Sequence, residues 1–212
     1  GAVVRAIAGE HGLSARVADA LSKIALPHLD QANESDVNLL TRLGERFDAT
    51  ATVKSGALIF APIGTGKTAS GRQLPSPTIT RRDGDGHRYS VADRDAYSGV
   101  RAYWNDRKGA RRNSVLVGGD DNAKRLRETY DSEASAREHA AAALKRLQRG
   151  VAKFNFNLAL GRADLSPEQI ITVQGFKPEI DAQRWLIAKV THRVDGSGGF
   201  TTALELESAL LS

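Results

Sequence analysis

The sequence predicts an α+β fold, predominantly antiparallel β with a few helices, and three stretches carry that expectation. From Gln183 the residues alternate, with Leu186, Ala188, Val190 and Val194 on one face and Trp185, Ile187, Lys189 and Arg193 on the other. A period of two is the mark of a strand. After the turn residues Asp195-Gly196-Ser197-Gly198-Gly199, a second run sets Phe200, Thr202, Leu204 and Leu206 against Thr201, Glu205 and Glu207. The two runs read as an antiparallel hairpin with one buried face. The cleanest alternation is upstream, where Ala152, Phe154, Phe156, Leu158 and Leu160 interleave with Lys153, Asn155, Asn157 and Ala159.

The remaining elements follow in chain order. Ala2 to Ala8 reads as the end of a helix with Val3, Val4 and Ile7 on one side, stopped by His11-Gly12. A mixed stretch runs to Leu29. Asn33-Glu34-Ser35-Asp36 then supplies an N-cap and an acidic first turn to a helix carrying Val37, Leu40, Leu43 and Phe47 at helical spacing. Val53 to Ile63 reads as one buried strand. Between Gly64 and Gly119 the chain is rich in glycine, arginine and β-branched residues. There Thr78-Ile79-Thr80 and Arg88-Tyr89-Ser90-Val91 flank Asp83-Gly84-Asp85-Gly86, a hairpin signal, and further strands are expected at Gly99 to Trp104 and Ser114 to Val117. Asp131 or Ser132 caps a second helix whose inward stripe is Ala136, Ala140, Ala143, Leu144 and Leu147, with Gly150 placed to end it. Ile170 to Phe176 is a further strand. Three segments are expected: 1–76, helix-rich with a strand; 77–130, a small β subdomain; 131–212, a helix followed by antiparallel strands and the closing hairpin.

At 212 residues, with 41% hydrophobic and 26% charged, the chain can bury a sizeable core. No apolar run is long enough to span a bilayer as a helix, and the start does not resemble a signal peptide, so membrane insertion is not expected. Cysteine is absent, which excludes disulfides and thiolate ligands. Methionine is absent too, so Gly1 is expected to be an expression or processing boundary. The net charge of +5 and pI near 9.6 pass a crude screen for nucleic-acid binding. An ordinary basic surface is the favoured account of them.

Gly64-Thr65-Gly66-Lys67-Thr68 ends as a phosphate-binding loop does. Ala61, however, stands where the first glycine belongs, Pro62 removes an amide, and Ala69-Ser70-Gly71-Arg72-Gln73-Leu74-Pro75 is a poor helix. The stretch is therefore read as a glycine-rich loop leaving a strand. His11, His28, His87, His139 and His192 show no paired ligand spacing, and the carboxylates near His28 suit a helix N-terminus. No metal, cofactor or catalytic residue is expected, and the protein is read as a non-enzyme. Arg81, Arg82, Arg101, Arg107, Lys108, Arg111 and Arg112 form a candidate basic surface, interleaved with Tyr97, Tyr103 and Trp104. Bases could stack on such rings. The favoured reading makes the rings core or hairpin partners and the arginines a solvated face, which leaves nucleic acid the alternative and not the favoured partner.

Two blocks are specific enough to point to a family. Gly175-Phe176-Lys177-Pro178-Glu179-Ile180-Asp181, Trp185-Leu186-Ile187, Val190-Thr191-His192, Gly199-Phe200-Thr201-Thr202 and Leu204-Glu205-Leu206-Glu207 resemble the closing segment of the phage late control D family. His28-Leu29-Asp30-Gln31 with Asn33-Glu34-Ser35-Asp36, Leu39-Leu40, Leu43 and Leu58-Ile59-Phe60 resemble that family's helix and following strand. The middle, Gly64 to Gly119, is similar only loosely. The resemblance implies barrel-like hub domains and a trimer of the full-length protein. It also implies a structural role in the tail baseplate of a contractile-tailed phage or prophage, between tail tube and central spike, in a virion assembled in the bacterial cytoplasm. Tail tube, spike and other baseplate proteins are the implied partners. Members are similar to the hub portion of type VI secretion spikes and carry additional N-terminal strands. Candidate interface residues, on strands that could extend sheets across subunits, are Phe154, Phe156, Trp185, Ile187, Phe200, Leu204 and Leu206.

Overall fold

The computed structural model describes residues 1–26, 29, 31–91, 97–106, 109 and 111–210. Strand outweighs helix, 44% to 24%, and most strand pairs are antiparallel, so the fold is α+β as expected. The chain forms two compact units. The first comprises 1–63, 68–72 and 95–147; the second comprises 64–67, 73–94 and 148–212. The stretch 77–130 is thus divided between them.

In the first unit, helix α1 (Ala2–Glu10) and strand β1 (Ser14–Val17) precede a short helix α2 (Asp19–Ser22). Helix α3 (Asp36–Phe47) starts where the sequence placed it, with Ser35 Oγ accepting from the Asn38 amide at 3.3 Å. It buries Leu39, Leu40 and Leu43, whereas Val37, expected on that stripe, is 71% exposed in its first turn. Asp48 closes the helix in the left-handed conformation. The expected single strand from Val53 is instead two: β2 (Ala49–Lys54) and β3 (Ala57–Pro62) form a hairpin about Ser55 and Gly56, both at positive φ. The β1–β3 pairing is parallel, giving a sheet ordered β1-β3-β2 over a core of Val4, Ile7, Leu39, Leu43, Leu58 and Phe60.

The second sheet of this unit is ordered β7-β6-β8, from β6 (Gly99–Asp106), β7 (Arg111–Gly118) and β8 (Ala123–Tyr130). Helix α4 (Glu133–Gln148) lays Ala136, Ala140 and Leu144 on Val100, Ala102 and Val115. Its cap is Ser132, whose Oγ accepts from the Ser135 amide. Arg46 of α3 donates twice to Glu138 of α4, at 2.8 and 3.0 Å.

The His139 ring of α4 stacks on Tyr130 of β8 with centroids 4.3 Å apart. Burial, reinforced by Arg46, holds the His139 pKa below its usual value, against Glu128 and Glu138, which raise it. Burial, with Glu128 beside it, pushes Tyr130 up to about 12. Below pH about 6.5 the unfolded histidine binds a proton more readily than the folded one, so stability should fall as the pH drops below that point. Between about 10 and 12 the unfolded tyrosine loses its proton first, so stability should fall again as the pH rises. Urea titrations across pH check both, and His139→Gln should remove the acid arm alone.

The second unit is one six-stranded sheet ordered β4-β10-β11-β12-β9-β5. Its strands are β4 (Thr78–Thr80), β5 (Gly84–Val91), β9 (Ala152–Leu158), β10 (Ile170–Gln174), β11 (Arg184–Asp195) and β12 (Gly199–Ser208). The expected hairpin of β4 and β5 does not form: β4 pairs with β10 in parallel and β5 pairs with β9. The two strands lie at opposite edges, yet only the 3-10 turn Arg81–Asp83 separates them. That linker reaches at most about 15 Å. The edges of a flat six-stranded sheet stand about 24 Å apart. The sheet must therefore curl back on itself, which makes it barrel-like. Thr80 and Asp83 form a reciprocal capping box at the crossing, and Asp83 O accepts from the Ala159 amide.

The inside of the curl holds Ile79, Phe154, Phe156, Leu158, Ile171, Val173, Ile187, Leu204 and Leu206, with Trp185. A short helix α5 (Pro178–Asp181) adds Ile180. On β11 the buried set departs from the sequence alternation, and the register explains it. Ile187 faces Leu206 but Lys189 faces Glu205, so Ala188 is an extra residue, a β-bulge. Before it the odd-numbered Trp185 and Ile187 point into the core; after it the even-numbered Val190 does. Leu160, expected to continue the inward face of β9, lies past its end and is 79% exposed.

Candidate functional site

The glycine-rich loop is built for its own unit. Gly64 and Gly66 are both at positive φ, the conformation that favours glycine. The Gly64 amide donates to the Glu168 carboxylate at 2.7 Å, Gly66 O accepts from the Leu74 amide, and Lys67 bridges Gln73. The amide that would meet a phosphate thus already holds an anion, and no helix begins after Lys67. The loop geometry is that of a strand exit.

The residues proposed from sequence as an interface lie mostly in the core, a correction to that expectation. Phe154, Phe156, Trp185, Ile187, Leu204 and Leu206 are each at most 2% exposed and line the inside of the curled sheet. Their side chains are used in packing the core of this unit. Phe200 alone is accessible, at 36%, on the β11–β12 hairpin beside Val194 and against Gly161. His192 on the same hairpin hydrogen-bonds Thr202 through Nδ1 at 2.9 Å, as expected of a satisfied structural histidine.

The basic residues divide. Arg81 and Arg82 belong to the second unit, where Arg81 donates to Gly84 O at the crossing. Arg101, Arg111 and Arg112 belong to the first, and Arg107 and Lys108, like His28 and Asp30, lie outside the described residues. On the three-stranded sheet, Val100, Ala102 and Trp104 turn toward α4, leaving Arg101 and Tyr103 on the other face. The Arg112 guanidinium lies 4.2 Å over the Tyr103 ring, and Arg101 pairs with Asp120. Of the three aromatics named from sequence, Trp104 packs inward, Tyr103 is covered by Arg112, and Tyr97 has Lys124 at 5.9 Å. A row of rings free for base stacking is not formed by these residues. The sequence reading missed Lys124, Arg125 and Arg127 on β8, whose alternation is weakened by charged residues on both sides of the strand. Among the described residues, no group of three or more His, Asp or Glu is placed to hold a metal ion.

The described residues form a mostly antiparallel fold with a curled barrel-like sheet and a small helix-backed sheet. Comparison gives the family. Residues 1–198 match the phage tail baseplate hub (GPD) family, and the chain belongs to it. It is 43% identical to a probable baseplate hub protein of Escherichia phage 186 and 41% identical to that of Escherichia phage P2, over 99% of its own length in each case. It spans 64% of the length of these curated relatives. The matched stretches run to 251 and 250 positions against 212 residues here, so the relatives carry extra residues inside the matched region. In fold it is similar to a tail protein from Neisseria meningitidis MC58, with a TM-score of 0.73 at 13% identity, covering 98% of this chain and 66% of that one.

Proposed function

We propose that this chain is the structural core of a tail baseplate hub, in a phage or prophage virion, joining the tail tube to the central spike. The observation that carries it is the family match over residues 1–198, together with more than 40% identity to two probable hub proteins. The mechanism is geometric: faces matched to different neighbours at two ends fix the assembly and pass sixfold tube symmetry to a threefold spike. Its action rests on interface complementarity and strand pairing, with no bond made or broken. A curled sheet supports that role because its side chains are spent on an internal core, which keeps the outer surface rigid.

The full-length protein is expected to be a trimer. Light scattering across concentration checks this, with a mass of three chains as the expected result. A full-length monomer at all concentrations, or normal tail assembly by a phage lacking the gene, would overturn the hub reading.

A further inference from the structure

The outer half of β11 is an open sheet edge. On one side β12 pairs with it as far as Asp195, but on the other β10 reaches only Leu186, and the last backbone bonds there join Ile187 to Gln169 and Glu168. Among the described residues, nothing bonds that side of the backbone over residues 189–195, and the stretch is exposed except for half-buried Val190. The ladder fixes which groups are free. Phe200 O is taken by the Gly161 amide on the far side of β12, so Val194 and Phe200 are a pair without mutual hydrogen bonds, and Val194 turns its N–H and C=O outward. Alternation does the same for His192 and Val190. A row of outward donors and acceptors on extended backbone is matched by another strand, and no proline interrupts this one.

The order of residues along the edge selects the strand. Reversed against itself about His192, the stretch sets Lys189 opposite Asp195, Val190 opposite Val194 and Thr191 opposite Arg193. The outward-turned residues then face one another, Val190 to Val194 and His192 to His192, which gives about six backbone hydrogen bonds. A shift by one residue would set outward-turned residues against inward-turned ones and lose them. The side chains agree with this register on both faces. On the face continuous with the core, Val194, 77% exposed, meets Val190 of the second copy. On the other face Lys189, 2.8 Å from Glu205, gains Asp195, whose turn bonds are all made by Oδ1. Opposite charges across a ladder are favourable and like charges are not, so Lys189 and Arg193 turn away a basic strand while the reversed copy is accepted.

We propose that the outer edge of β11, residues 189–195, pairs antiparallel with the same edge of a second copy about a twofold axis at His192. Such a contact is isologous and adds to a threefold contact without replacing it, so this inference does not depend on the hub reading.

The test is the solution mass of residues 1–212 by light scattering across concentration, where a rise from one chain to two is expected. His192→Pro keeps β11 on β12, because the N–H it removes has no backbone partner within the chain, but it deletes the two central bonds of the contact. It should raise the dissociation constant about tenfold or more. Val194→Lys, at an exposed position, should do the same through its side chain, and both variants should keep the parental circular dichroism spectrum. The chain has no cysteine, so a single introduced one reports the register. His192→Cys should give a disulfide-linked dimer on oxidation in air, since directly opposed hydrogen-bonded residues stand about 5.5 Å apart between Cα atoms, within disulfide reach. Ser197→Cys, also exposed but roughly 30 Å from its counterpart in this register, should not. One chain at every concentration overturns the proposal, and so does a mass of three, which a twofold edge cannot give. Dimers that His192→Pro and Val194→Lys both leave intact, or Ser197→Cys cross-linking as readily as His192→Cys, put the contact elsewhere and overturn it as well.

Discussion

Replacing Trp185 with alanine should destabilise the second unit by about 3–5 kcal/mol, the range for removing a large aromatic from a packed core. The side chain is fully buried. Its ring packs on Phe154 at 5.4 Å and meets Tyr89 edge-on at 6.2 Å between centroids, while its Nε1 donates to Ile180 O at 3.0 Å. One residue therefore ties β5, β9, β11 and α5 together. Two separate losses follow from its removal: a cavity where the indole stood, and a buried carbonyl without its donor. Single domains have only about 5–15 kcal/mol to lose, so the variant should be close to unfolding at ambient temperature. Urea denaturation followed by circular dichroism measures the change. Trp185→Phe should recover most of the packing and leave the deficit of the hydrogen bond, about 1 kcal/mol. An alanine variant with the parental midpoint would mean that the core is not closed around this ring.

Gly84→Ala is the second large effect, and its origin is steric. Gly84 begins β5 directly opposite Leu158, and a Cβ there would sit 1.8 Å from Asn157 O. The obstacle is backbone, which no rotamer change can clear. Its φ of −175° is open to any residue, so the whole penalty comes from pushing β5 away from β9. A cost of about 3 kcal/mol is expected, at the upper end of overpacking changes. Because the same residue receives the chain from the three-residue crossing, the damage should centre where the curled sheet joins its edges. Hydrogen exchange should show lost protection for the amides of β5 and the end of β9. Gly86→Ala offers the contrast: it meets only the movable Asn157 side chain amide at 3.3 Å, although its φ of +61° carries the usual strain of a left-handed alanine.

Local chemistry was legible residue by residue. The run Asn33 to Asp36 announced the start of α3, Asp131 or Ser132 the cap of α4, and Ala136, Ala140 and Leu144 its inward stripe, because capping and helical periodicity act over one or two turns. The inward side of β9 was visible in Phe154 and Phe156, and the resemblance over both ends of the chain pointed to the family. The short β2 hairpin was missed because Ser55-Gly56 is a weaker turn signal than the aspartate–glycine run near Gly84.

Tertiary structure decided the rest, for one physical reason: strand pairing is non-local, and a period of two distinguishes two faces without saying which neighbour covers either. The strong turn signal at Asp83-Gly84-Asp85-Gly86 became a crossing between sheet edges because β10 and β9 offered better partners than β4 and β5 offered each other. The bulge at Ala188 inverted the faces of β11 midway, which no alternation count can reveal. The same limit applies to the surfaces. Phe154, Trp185 and Leu204 were candidate interface residues until the curled sheet placed them in its core. Sequence determines which residues can be apolar neighbours or charged ones; the register between distant strands determines which of them meet.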